Sequence, residues 1–123
     1  MTDDRYAIHL QPLFAFSEYF DVQKVIDAAT DPWYNQTLVQ LGGTVLRLGV
    51  MQGEFHWHSD DQEDELFLVL DGEFRIEIQD AETVVLAPRQ GYVVPAGVVH
   101  RPVVPVRSAV FMLEQAGIVP TGN

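Results

Sequence analysis

The chain has 123 residues, 47% of them apolar and none of them cysteine, and its 18 acids outweigh seven bases for a formal charge of −11. That length fits one domain, and the missing cysteines exclude disulfides, iron–sulfur clusters and thiolate zinc sites. No run approaches the roughly 18 consecutive apolar residues of a membrane span, and a negative field of this size repels phosphate backbones, so neither membrane nor nucleic acid is expected as a partner.

The opening MTDDRYAIHLQP lacks the basic start and apolar run of a secretory leader, which points to a cytoplasmic protein. Residues 1–36 are irregular and read as an extension that packs on the rest of the chain or on a partner. Within them, Phe14, Phe16, Tyr19 and Phe20 follow no period of two, so residues 12–20 are where most of the little helix in this chain is expected. Residues 22–28 suit strand and helix equally, and Asp31-Pro32 then punctuates the chain.

From Thr37 onward the texture changes, and residues 37–123 read as the domain proper. Short runs rich in Val, Leu, Ile and Phe occupy residues 44–51, 54–58, 66–70, 73–79, 83–86, 92–95, 101–106 and 109–114. Phe74, Ile76 and Ile78 alternate with Arg75, Glu77 and Gln79, the pattern of a half-exposed antiparallel strand. Asp71-Gly72 reads as a hairpin turn, because glycine tolerates the positive φ that tight turns require. Strands this short, with no helices between them, predict an all-β sandwich or barrel.

Three of the four histidines fall in two places, His56 and His58 in one and His100 in the other. Residues two apart on a strand share a face, so a strand through this stretch brings His56, His58 and Asp60 together. Asp60, Asp61, Glu63, Asp64 and Glu65 place five carboxylates in six positions immediately downstream. Imidazoles and carboxylates gathered on one inward face suit a divalent ion. Nucleophile elbows, phosphate loops and dinucleotide fingerprints are absent, so any chemistry belongs to the metal. Phe67, Val69 and Tyr92 are candidates to line the mouth, whereas Arg47, Arg75, Arg101 and Arg107 read as surface charges. Phe55 and Trp57 read as packing residues.

Residues 53–72, GEFHWHSDDQEDELFLVLDG, resemble the first cupin motif, two histidines one residue apart followed by a Glu and a Gly. Residues 88–102, PRQGYVVPAGVVHRP, resemble the second, with its Pro-x-Gly-x-x-His core. With the ending EQAGIVPTGN, they make the chain similar to small single-domain cupins of the mannose-6-phosphate-isomerase-like kind. The resemblance implies a double-stranded β-helix barrel, a homodimer, a small-molecule ligand in the barrel mouth and a divalent ion (manganese, iron, zinc or nickel). Two registers of the first motif compete. Pairing His56 and His58 with Glu63 keeps only the first family spacing. Pairing His58 and Asp60 with Glu65 keeps both, and gives the favoured ligand set His58, Asp60, Glu65 and His100, with His56 and Glu63 as alternative ligands. An Asp then stands where the family has a His, which shifts preference toward oxygen-seeking ions such as manganese or iron(II). Arg89 replaces a usual Gly, and Val104 a usual Asn. The resemblance implies either a metal-dependent enzyme or a non-catalytic binding, sensing or accessory protein with a degenerate, ion-free site.

Overall fold

A computed structural model describes residues 5–118, 120 and 121. Among these residues, eight strands and one short helix follow in the order β1 (Ala7–His9), α1 (Val22–Ala28), β2 (Trp33–Leu41), β3 (Thr44–Glu54), β4 (Glu65–Asp71), β5 (Phe74–Ile78), β6 (Val84–Leu86), β7 (Gly91–Val94) and β8 (His100–Gln115). The ladder runs β1-β2-β3-β8-β4-β7, with β5 joined to both β6 and β8. The sixteen-residue β8 is the hinge of this arrangement. Its first residues pair with β5, from Ile78↔His100 to Arg75↔Val103, while its later residues lie between β3 and β4. One strand thus joins the two branches of a single sheet, which wraps around a shared interior in the all-β barrel the strand spacing predicts.

The interior holds Trp33, Met51, Phe55, Phe67, Val69, Phe74, Ile76, Val104, Val110 and Met112, all buried. The outer face of β2 and β3 is also covered. Leu38, Leu48 and Val50 lie beneath Phe14, Phe20, Val22, Val25 and Ile26. The central strands are therefore apolar on both faces, and each large side chain buried there contributes roughly 1.5–3 kcal/mol.

The structure departs from the sequence expectations in several places. The helix is residues 22–28 rather than 12–20. Asp21 caps it by accepting a hydrogen bond from the Gln23 N–H, whereas Leu13 and Phe14 donate their N–H groups to Thr37 and Leu38 of β2. Residues 33–36 belong to β2, and β1 pairs with them in parallel, so the sheet reaches into the irregular N-terminal stretch. The runs 101–106 and 109–114 are one continuous strand. Asp71-Gly72 is not a hairpin, because β4 and β5 do not pair with each other. It carries the chain along one edge of β8, from the β4 pairing to the β5 pairing. Gly72 sits at φ +89°, and a Cβ there would fall 2.1 Å from Ser108 Oγ, so only glycine fits this corner.

Candidate functional site

Two segments of different character bring the histidines together. Beyond β3 the chain leaves its ladder, because the register slips between Met51 and Gly53 and Gly53 adopts φ +115°. Residues 55–64 are thus a loop rather than the strand predicted for 54–58. The loop touches the barrel through Phe55 N–H to Pro102 C=O and a reciprocal pair between His58 and His100, 3.0 and 2.9 Å. The second segment is regular: β7, the Pro95–Gly97 turn, then β8 beginning at His100. The two are tied at the mouth. Gly97 N–H donates to Asp60 C=O at 2.7 Å, and Ala96 N–H to Asp64 Oδ1 at 2.9 Å.

His58, Glu65 and His100 each offer a ligand atom within 4.8 Å of the others. Their tautomers follow from their hydrogen bonds. His58 Nδ1 is 3.0 Å from the His56 carbonyl, and His100 Nδ1 is 2.9 Å from the Val98 carbonyl. A carbonyl only accepts, so each Nδ1 carries the proton and each Nε2 presents its lone pair to the site. His100 Nε2 is buried without a hydrogen-bond partner among the described residues and lies 4.0 Å from Glu65 Oε1. Burial lowers the pKa of His58 from 6.5 to about 4 and lowers that of His100. Both rings are therefore neutral at pH 7, as metal ligands must be.

Glu65 opens β4 facing the interior, on the same side as Phe67 and Val69. Its pKa is raised well above the ordinary carboxylate value, first by burial and then by the charge of Glu114. Glu114 lies near the end of β8 and forms an ion pair with Arg47. Arg47 also donates to Thr37 Oγ1 at 3.1 Å and to the Ile118 carbonyl at 3.0 Å. Arg47 is thus an interior residue, 3% exposed, and not the surface charge expected of it. Arg75 is an exposed surface charge, and Arg107 reaches the carbonyls of Ala29 and Asp31.

Of the other expected site residues, Asp60 and Glu63 line the same small cavity as the three donors, with Glu114, Ile118 and Pro120. Neither belongs to the mutually close set. Asp60 Oδ1 instead accepts from the N–H groups of Gln62 and Glu63, at 3.1 and 3.3 Å. His56 has both ring nitrogens engaged, Nε2 with the Thr121 carbonyl at 2.7 Å and Nδ1 with the Tyr6 hydroxyl at 3.1 Å. Because the carbonyl requires Nε2 to donate, Nδ1 accepts from Tyr6, and no lone pair is left for an ion. Phe67 lines a second cavity with Trp33, Asn35, Met51, His58 and Glu65. Val69 is fully buried in the core, and Tyr92 packs against it. Phe55 is a core residue, whereas Trp57 is 46% exposed beneath the Arg101 guanidinium.

Sequence reasoning missed Arg47, Glu114 and Asn35. A signal was present. In VLRLGVM the apolar residues lie on both faces, so an arginine at the centre has nowhere to go but the interior. Glu114 follows Val110 and Met112 at the same period of two. Asn35 Oδ1 and Glu114 Oε2 are, with His100 Nε2, buried polar atoms without a partner among the described residues. All three atoms belong to residues lining the two cavities at this end of the barrel.

Comparisons with known proteins agree with this fold. The pattern of the family described as Cupin domain (Cupin_2) matches residues 45–114. An uncharacterized protein of Bacillus subtilis (strain 168), YdbB, is 40% identical over 67 residues, which cover 54% of this chain and 59% of that protein. The alignment thus spans less than two thirds of that relative. Among solved structures, a cupin-2 domain-containing protein from Shewanella frigidimarina NCIMB 400 superposes with a TM-score of 0.74 at 24% identity, covering 78% of this chain and 93% of its own. A cupin superfamily protein from Desulfitobacterium hafniense DCB-2 gives 0.68 at 20% identity, with 87% and 97% covered. At these identities the structural likeness establishes the fold.

Proposed function

The chain belongs to the Cupin_2 family, and from that premise we propose that it binds a divalent metal ion through His58, Glu65 and His100 and uses it to hold a small polar molecule in the barrel mouth. The observation that carries this reading is the pair of fixed tautomers. Each Nδ1 is anchored to a backbone carbonyl, the outer contact that orients metal-binding imidazoles, and each Nε2 keeps its lone pair, that of His100 buried without a partner among the described residues and 4.0 Å from the Glu65 carboxylate. Two neutral nitrogens and one carboxylate fit manganese, iron(II), zinc or nickel. Three protein donors leave coordination positions for an oxygen of the small molecule, which the ion would polarise as a Lewis acid.

A second reading has its own observation. Burial and the charge of Glu114 raise the pKa of Glu65, so a proton competes there with a cation. On this reading the barrel is an ion-free binding or accessory module. Elemental analysis of untagged protein, purified without chelator and then offered manganese, iron, zinc and nickel, separates the two. The metal reading expects one ion per chain; a chain that neither retains nor takes up any of the four supports the second.

The exposed Leu13, Phe16 and Tyr19 beside α1 favour a homodimer, which light scattering at micromolar concentration tests. A monomeric mass contradicts it. No helix among the described residues is long and apolar enough to cross a membrane, and a cytoplasmic location stays part of this proposal.

A further inference from the structure

The chain does not stop at the end of β8. Ala116 N–H donates to the Gly43 carbonyl at 2.7 Å, and Ile118 N–H to the Gln115 carbonyl at 3.2 Å, which turns the backbone toward the barrel mouth. Ile118 and Pro120 then form part of the wall around His58, Glu65 and His100. Pro120 also walls the neighbouring cavity with Trp33 and Asn35. These cavities measure about 10 and 20 Å³, room for about one water molecule each. A molecule of several heavy atoms cannot occupy either while Ile118 and Pro120 stand where they do.

Beyond the turn, two side chains hold the segment in place. Arg47 Nη1 donates to the Ile118 carbonyl at 3.0 Å, and His56 Nε2 to the Thr121 carbonyl at 2.7 Å. Past Gln115 the segment makes no strand pairing among the described residues. We propose that the described residues past Gln115 (116–118, 120 and 121) act as a displaceable strap across the barrel mouth, latched by His56 and Arg47, and that its release admits the small molecule to the site. This gives His56, whose ring lies beside that of His58 but which is not a donor, a role as a positioning residue. The strap rests on the metal reading only in that the ion lies beneath it.

Trp33 reports on the strap without any metal. It is 5% exposed and shares the second cavity with Pro120, while the exposed Trp57 can be removed as Trp57→Phe. In that background, acrylamide should quench Trp33 poorly. His56→Ala, and separately a chain ending at Ile118, should raise the quenching constant roughly fivefold, the population change that follows loss of one hydrogen bond. Circular dichroism checks that each variant retains the β fold. In protein loaded with manganese, the same two changes should speed removal of the ion by EDTA by a similar factor. Free quenching of Trp33 in the parent, or unchanged quenching in both variants, would overturn the strap. If quenching rises as expected but no manganese binds, the strap stands and the metal reading falls.

Discussion

Two stretches each supply a histidine to the same point, and they do so by different means. Residues 91–103 run as strand, turn and strand, so His100 is placed by ladder hydrogen bonds on β5 and by the Pro95–Gly97 turn. Residues 55–64 have no ladder of their own, and His58 is held by a single bridge to His100 and by its ring bond to the His56 carbonyl. In the regular stretch, sequence spacing determines where a side chain points. In the irregular one, hydrogen-bond partners decide. His56 and His58 stand two residues apart, yet one ring is spent on Tyr6 and Thr121 while the other keeps a lone pair for the site.

This contrast can be tested by removing one group at a time. The largest effect is expected at the donors themselves. His58→Ala and His100→Ala should each weaken manganese or zinc binding by more than about 100-fold, beyond the usual cost of losing a contact that merely orients a ligand. His56→Ala should cost less than about tenfold, below that range. Competition titrations with a chelating dye measure all three. Equal losses for His56→Ala and His58→Ala would mean that the loop rearranges and that its hydrogen bonds do not select the ligand.

The next effect is on stability without metal. Between pH 6.5 and about 4 the unfolded chain takes up a proton that folded His58 refuses. Stability should therefore fall as the pH is lowered across this window, by on the order of 2–3 kcal/mol, with His100 acting in the same direction. Glu65 opposes them. Its raised pKa lets the folded state keep a proton that the unfolded chain has lost above about 4.5, so its contribution fades as pH rises. Urea unfolding of Glu65→Gln at pH 6.5 and 4.5 removes that opposition and should expose the loss. Adding His58→Gln should shrink it, and an unchanged pH dependence would show that His58 is not buried as described.

The smallest effect is expected at Asp60. Its carboxylate closes a turn by accepting from Gln62 and Glu63, so Asp60→Ala should lower stability by about 1 kcal/mol. Metal affinity should change less than tenfold, roughly, if the residue only shapes the loop. A loss as large as that of His58→Ala would make it a fourth ligand.

Much of the architecture was legible because it rests on short-range patterns. Alternation around Phe74, Ile76 and Ile78 marked a strand, and the Pro-x-Gly turn located His100. The five-carboxylate run and the paired histidines pointed to the candidate site but left its register open, because neither spacing nor residue type records which ring nitrogen is already engaged. Residues 22–28 were undecided for a similar reason. Their apolar side fits either period, and only the Asp21 cap and the surface formed by Leu38, Leu48 and Val50 beneath them select helix. Asp71-Gly72 has the composition of a hairpin, but whether the flanking strands pair depends on β8, which lies about thirty residues further along. Arg47 was misread because an arginine in isolation favours water, and its interior partner Glu114 is distant in sequence.

The most direct test is X-ray absorption spectroscopy of the zinc- or manganese-loaded protein, compared with its His56→Ala and His58→Ala variants. Two imidazole nitrogens and at least one carboxylate oxygen should surround the ion, unchanged in His56→Ala and reduced to one imidazole in His58→Ala. Loss of an imidazole in His56→Ala, or the same two-imidazole shell in His58→Ala, would contradict the assignment of His58, Glu65 and His100 as the metal-binding set.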